Sequence, residues 1–195
     1  MSKRWILRSA TLVASLAAMA PSAFAQDSDR DGVLDSVDVF PCDASRAAVT
    51  YFPARGRSAL FTYEDQWPSV TDSDYNDLAV RVHVRTELDA SNAPVAMKMV
   101  IDPVAAGGAL TNGIGLQLPF SKAGVTVRRR IAAGQWIDLP LEQDANVTVV
   151  LSNNLRDRFG GASGPINSKP GVARIAGQRI EIEIRAQQGM TLGSS

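Results

Sequence analysis

Two stretches of this chain alternate apolar and polar residues almost one for one. Leu78, Val80, Val82 and Val84 are interleaved with Ala79, Arg81, His83 and Arg85, and Ile180, Ile182 and Ile184 with Glu181, Glu183 and Arg185. A period of two sends successive side chains to opposite faces of an extended backbone, so each stretch reads as a strand with one buried and one wetted face. Further strands are expected at 59–63, 95–102, 114–118, 125–131, 147–152 and 172–175, separated by turn formers such as Gly107-Gly108, Asn112-Gly113 and Asn153-Asn154. Helical periodicity is almost absent. The pattern predicts an all-β fold, an antiparallel β-sandwich of jelly-roll-like kind over residues 50–190, with the Gly-, Ser- and Asn-rich stretch 156–170 as a long loop.

The N-terminus reads as a targeting segment and not as part of that fold. Lys3, Arg4 and Arg8 precede an apolar run over 6–20, and Ala23-Phe24-Ala25 is a small-x-small cleavage site, so 1–25 is expected to be a signal peptide. The mature chain is then exported, to the periplasm, the outer-membrane surface or the extracellular space. No Cys stands at the cleavage point to suggest a lipoprotein, and no later window approaches the roughly 20 apolar residues of a membrane span. Without the leader the chain keeps 17 Lys and Arg against 20 Asp and Glu, about −3, which speaks against a nucleic-acid partner.

Immediately after the expected cleavage point comes an acidic ladder, Asp27-Ser28-Asp29-Arg30-Asp31-Gly32-Val33-Leu34-Asp35-Ser36-Val37-Asp38. Carboxylates stand at the first, third, fifth, ninth and twelfth positions, with glycine at the sixth. Ca²⁺ takes six to eight hard oxygen ligands, and a short loop supplies them by turning alternate carboxylates inward, donating the seventh carbonyl and bending sharply at a glycine. Asp27, Asp29, Asp31, Asp35, Asp38 and the Val33 carbonyl are therefore the expected ligands. Asp38 is shorter than the usual closing Glu, so a water or a neighbouring loop would complete the shell. The alternative is a flexible acidic linker, which would rarely keep both the period and the glycine.

A second acidic cluster stands at the entry to the Leu78 strand. Asp72, Asp74, Asn76 and Asp77 follow Glu64 and Asp65, and the Asp-x-Asp-x-Asn spacing again turns alternate oxygens to one side. Its sixth position is Asp77 in place of glycine and its twelfth is His83, so it is no second loop of the same type. These side chains either hold a second cation or cap turns by bonding to their own backbone. If the flanking segments pair as a hairpin, Glu64 and Asp65 meet the rest.

These residues carry a resemblance. The 27–38 loop with its Val39-Phe40-Pro41 tail resembles a bacterial thrombospondin type 3 repeat, a calcium-binding linker module, over 26–45. Tyr63-Glu64-Asp65-Gln66-Trp67-Pro68, Asp74-Tyr75-Asn76-Asp77-Leu78 and Asn112-Gly113-Ile114-Gly115-Leu116-Gln117-Leu118-Pro119, in that order, resemble the LruC domain of bacterial exported proteins. The resemblance implies an all-β, surface-associated domain without established enzymatic chemistry, and marks the acidic motif as a suspected metal site. Met190-Thr191-Leu192-Gly193-Ser194-Ser195 departs from the family, whose domains continue into further strands. Either this is a short member or the chain is truncated, and missing strands would leave an exposed sheet edge.

Catalytic constellations are poor. His83, the sole histidine, is expected on a solvent-facing strand position without a nucleophile or acid in reach. Gly161-Ala162-Ser163-Gly164 begins like a nucleophile elbow, but Pro165 replaces the closing glycine and the strand-turn-helix context is missing. The carboxylate pairs of the second cluster keep glycoside hydrolysis formally open, yet one cation explains them better. Cys42, the only cysteine, excludes an intramolecular disulfide; it is expected to be buried, or else open to an intermolecular bridge. The reading is a non-catalytic Ca²⁺-binding β-sandwich module for surface or matrix interaction or adhesion, with a protein or glycan partner at the cell surface. The alternative is a calcium-dependent carbohydrate-binding module in which Tyr75, Trp67 or Trp136 stacks on sugar rings near the cation.

Overall fold

The computed structural model describes residues 26–65 and 75–193. The expected signal peptide, Trp67, Asp72 and Asp74 lie outside the described residues. The described chain is nearly all β and antiparallel, in the order β1 (Ala48–Phe52), β2 (Ala59–Tyr63), β3 (Leu78–Leu88), β4 (Pro94–Ala105), β5 (Ile114–Ser121), β6 (Val125–Ile131), β7 (Ile137–Asp138), β8 (Asn146–Ser152) and β9 (Ile180–Ala186). No helix among the described residues is long and apolar enough to cross a membrane.

Seven strands make one sheet in the order β1-β3-β4-β9-β6-β7, with β2 also on β3; β5 and β8 form a second, two-stranded sheet. The 11-residue β3 is long enough for two short strands to share one of its edges. β1 pairs with its C-terminal half, Phe52 opposite Val84, and β2 with its N-terminal half, Tyr63 opposite Leu78. The alternation legible in the sequence decides which face is buried. Leu78, Val80, Val84, Met99, Ile101, Ile180, Ile182 and Ile184 point inward, where they meet Val147, Val149 and Leu151 of β8. All three β8 side chains are fully buried, and removing such a core side chain costs about 2–5 kcal/mol. Two strands do not cover seven. Phe61 and Tyr63, opposite Val80 and Leu78 in register, stay 38% and 49% exposed.

Three expectations need correction. Residues 172–175 form no strand: the Asn167 amide accepts from the Ile175 N–H and donates to its carbonyl, both at 2.8 Å, so a side chain supplies what a neighbouring strand would. Val172 is 62% exposed, since β-branched residues favour extension but extension alone pairs with nothing. The loop over 156–170 is partly built: a 3₁₀ turn at Leu155–Phe159, capped by Asn154, and an Ala106–Ile166 bridge close a small second core of Ala106, Phe159 and Ile166. Cys42 is exposed, because it sits in a tight turn beside Pro41, away from either core.

Candidate metal centre

The acidic loop folds around its own backbone amides. Asp27 Oδ1 accepts from the Arg30 N–H at 2.8 Å and Oδ2 from the Gly32 N–H at 3.1 Å, while Asp31 Oδ1 accepts from Val33 at 2.7 Å and Asp38 Oδ1 from Phe40 at 2.6 Å. Gly32 takes φ +94°, a conformation that a side chain would strain, which is why the sharp turn falls there. With the Asp31 N–H donating to Asp29 Oδ1 at 3.3 Å, these bonds leave one oxygen over on each of three carboxylates. Asp29 Oδ2, Asp31 Oδ2 and Asp38 Oδ2 are buried and have no hydrogen-bond partner among the described residues. Asp27, Asp29 and Asp31 each bring an oxygen within 4.8 Å of the others, a group that could hold a metal ion.

A buried anionic oxygen with no donor is costly, and the carboxylates of Asp27, Asp29 and Asp31, grouped within 4.8 Å, also repel; Asp38 is not part of that group. A hard cation removes both costs, and a donor set made only of carboxylates and carbonyls suits calcium better than a thiophilic or imidazole-seeking metal. The residues present fit the ion. Asp35 stands apart from the Asp27, Asp29 and Asp31 group: its two oxygens accept from the Ser28 N–H at 2.8 Å and the Ser28 hydroxyl at 2.7 Å, bracing the start of the loop against its ninth position.

The loop is tied to the sheet through its tail. Val39 N–H donates to the Ala47 carbonyl and Ala47 N–H to that of Leu88, both at 2.8 Å, continuing the ladder beside β3. The Phe40 ring lies 4.2 Å from the Arg46 guanidinium and 5.4 Å from that of Arg85. Both arginines pair with Glu87, Arg46 at 2.7 Å and Arg85 at 3.0 Å, with Lys98 at 3.3 Å; Glu87 is fully buried. Burial alone would raise the Glu87 carboxyl, but the Arg46 hydrogen bond and the charges of Lys98, Arg46 and Arg85 outweigh it and hold it below its ordinary value. Glu183, 3% exposed, is treated the same way by Arg185 and Arg128. Sequence reasoning missed this network, although charges recurring at every second position of two strands were its visible signal.

The second acidic cluster is partly assembled. Because β2 and β3 pair as a hairpin, Glu64 and Asp65 meet Asn76 and Asp77 across its closed end. Asp77 Oδ2 accepts from the Asp65 N–H at 2.9 Å, Glu64 accepts from the Tyr75 N–H, and the Asn112 amide donates to Asp65 Oδ2 at 3.1 Å. Asp65 Oδ1 is buried without a partner among the described residues. Two turns that the sequence reading treated as punctuation cradle these groups. Gly107 N–H donates to the Asn76 carbonyl at 3.0 Å, and a Cβ on Gly108 would run into Asp65 and Asp77. A cleft of about 260 Å³ opens here, between the acidic residues and Asn112-Gly113.

Comparison with protein-family models, curated proteins and solved structures yields no match.

Proposed function

We propose that this chain is an exported, non-catalytic calcium-binding β-sandwich module whose role is interaction or adhesion at the cell surface or in the matrix. The observation that carries the calcium reading is the Asp27, Asp29 and Asp31 group, in which Asp29 and Asp31 each keep a buried carboxylate oxygen without a donor among the described residues, as Asp38 does outside the group. In this reading Asp27, Asp29, Asp31 and Asp38 ligate directly, the Val33 carbonyl takes the seventh position, and Asp35 acts through water, as ninth-position ligands often do. The resemblance of 26–45 to a thrombospondin type 3 repeat and of the following domain to LruC supports the same role, and the basic-apolar start with its small-x-small site supports export. The non-catalytic part rests on His83, whose Nδ1 lies 2.6 Å from the Arg57 carbonyl and whose ring stacks on Tyr51, so that it is engaged in structure.

Calorimetric titration tests the metal reading. Asp29→Ala with Asp31→Ala should abolish calcium uptake at the loop, and unchanged stoichiometry would sink it. Mg²⁺ should compete poorly, because it demands a smaller octahedral shell. Residues Glu64, Asp65, Asn76 and Asp77, with Asp72 and Asp74, are proposed as a second cation site on the strength of the buried Asp65 oxygen. In a chain lacking residues 26–45, Asp74→Asn should lower whatever calcium-dependent melting shift remains; identical melting in calcium and in chelator would make the cluster a structural turn. The calcium-dependent glycan reading is favoured by one residue, Tyr75, which is 57% exposed directly beside Asn76 and Asp77.

A further inference from the structure

The outward face of the seven-stranded sheet carries its acids below its bases. In the register, Lys98 faces Glu183 and Glu183 faces Arg128, while Arg130 faces Glu181. Arg128 and Arg185 each direct Nε and Nη2 at the buried Glu183, and Arg130 directs the same two atoms at Glu181. Each of these three guanidinium groups therefore keeps Nη1 without a partner among the described residues, on side chains that are 44%, 42% and 36% exposed. Trp136, in the turn before β7, lies over two of them, its ring 5.1 Å from the Arg128 guanidinium and 4.8 Å from that of Arg130. Together with Lys98 these groups line a groove of about 310 Å³.

We infer that this groove binds a carboxylated polysaccharide. Three unengaged guanidinium edges beside a lysine offer a planar carboxylate forked hydrogen bonds. Trp136, half-buried and stacked by Arg128 and Arg130, offers its remaining exposed surface to the apolar face of a sugar ring. Local charge agrees: Lys98, Arg128, Arg130 and Arg185 outnumber Glu181 and Glu183 by two, in a chain of zero net charge. The groove lies on the β9-β6 side of the sheet, whereas the acidic loop's tail packs beside β1 and β3. Its ligand is thus held without calcium. The inference rests on the interaction role proposed above and names its ligand class, and it is independent of the metal sites.

The test uses the mature chain and polygalacturonate by calorimetry or affinity electrophoresis, in calcium and in chelator. Dextran serves as the neutral polymer and a single-stranded oligonucleotide as a polyanion without sugar carboxylates. Binding of polygalacturonate in both conditions is expected, weakening with salt, with at most weak binding of either control. Trp136→Ala and Arg130→Gln should each weaken it about tenfold, which corresponds to one lost contact of about 1.4 kcal/mol, while circular dichroism stays unchanged. Lys98→Gln, which leaves the arginine pairs intact, should weaken it as well if the first two variants fold poorly. Equal binding of dextran or of the oligonucleotide, binding only in calcium, or no binding overturns the inference. Loss of calcium uptake by the loop, measured separately, would overturn the metal reading and leave this one standing.

Discussion

The acidic loop and the outer sheet face both take carboxylates out of water, and they solve the resulting problem in opposite ways. Glu87 and Glu183 are almost fully buried, yet each is ringed by the chain's own cations, Arg46, Arg85 and Lys98 around one, Arg128 and Arg185 around the other. Asp29, Asp31 and Asp38 are only half-buried as residues, but each hides one oxygen with neither a hydrogen bond nor an ion pair among the described residues, whereas Glu87 Oε1, also without a hydrogen bond, has Arg85 at 3.0 Å and Lys98 at 3.3 Å. The sheet contains its counter-charges, whereas the loop leaves oxygens unmatched beside a carboxylate group that could hold a metal ion. The number of buried acids is therefore uninformative about metal binding until each oxygen's partner is known.

The largest effect should come from breaking the self-contained set. Glu87→Ala leaves three cations around an empty position and should cost about 3 kcal/mol, the low end for a broken buried ion pair since these cations keep contact with water. That is a fall of roughly 10 °C in melting temperature for a domain of this size, with or without calcium. The same group gives an acid limb. Its folded carboxyl lies below its ordinary value of 4.5, so the stability it contributes is present above pH 4.5 and is lost as pH falls through the lowered folded value. A melting-temperature series from pH 6 down should show a shallower decline in Glu87→Gln than in the wild type, and parallel curves would contradict the network.

The loop should behave in the reverse sense. Saturating calcium at a hundred times its dissociation constant should stabilise the chain by about 2.7 kcal/mol, and Asp29→Asn with Asp31→Asn should remove that gain. In chelator the same double variant should melt no lower than the wild type, because it relieves repulsion and leaves fewer buried anionic oxygens. A clear loss of stability in chelator would place the loop in the same category as the sheet.

Smaller effects sharpen the boundary between the two regions. Gly108→Ala presses a methyl group against Asp65 and Asp77 and should cost about 2 kcal/mol through overpacking. The loss should fall on the second acidic cluster and leave calcium affinity at the 27–38 loop unchanged. Phe40→Ala removes the ring shared by Arg46 and Arg85, a loss of about 1 kcal/mol. Asp38 accepts from the Phe40 backbone N–H, which alanine retains, so calcium affinity at the loop should stay unchanged in this variant, and calorimetry would check it.

What was legible in the sequence follows from period. Alternation at 78–85 and 180–185 has one physical meaning, and the observed β3 and β9 bury the residues that it assigns to the core. Glu64 and Asp65 do reach Tyr75 and Asp77, because β2 and β3, close in the chain, pair as a hairpin; Asp72 and Asp74, which the sequence groups with them, lie outside the described residues. β1 was missed, although Ala48–Phe52 carries β-branched and aromatic residues, because its partner is the far half of β3 and only register reveals it. The segment 172–175 was misread for the opposite reason: it has strand composition but a side-chain partner, Asn167.

By itself, then, the sequence determined the all-β class, the inward faces of the long strands and the run of carboxylates around Gly32, since all three depend on spacing along the chain. Only the tertiary structure decided which carboxylates keep a donor and which do not. Asp35 turned to Ser28, Asp38 kept one oxygen without a partner, and Glu87 and Glu183 found arginines and a lysine from other segments. Desolvation and charge pairing act across space, between residues 55 positions apart in the case of Arg128 and Glu183, and no local pattern encodes a neighbour that arrives only when the sheet has formed.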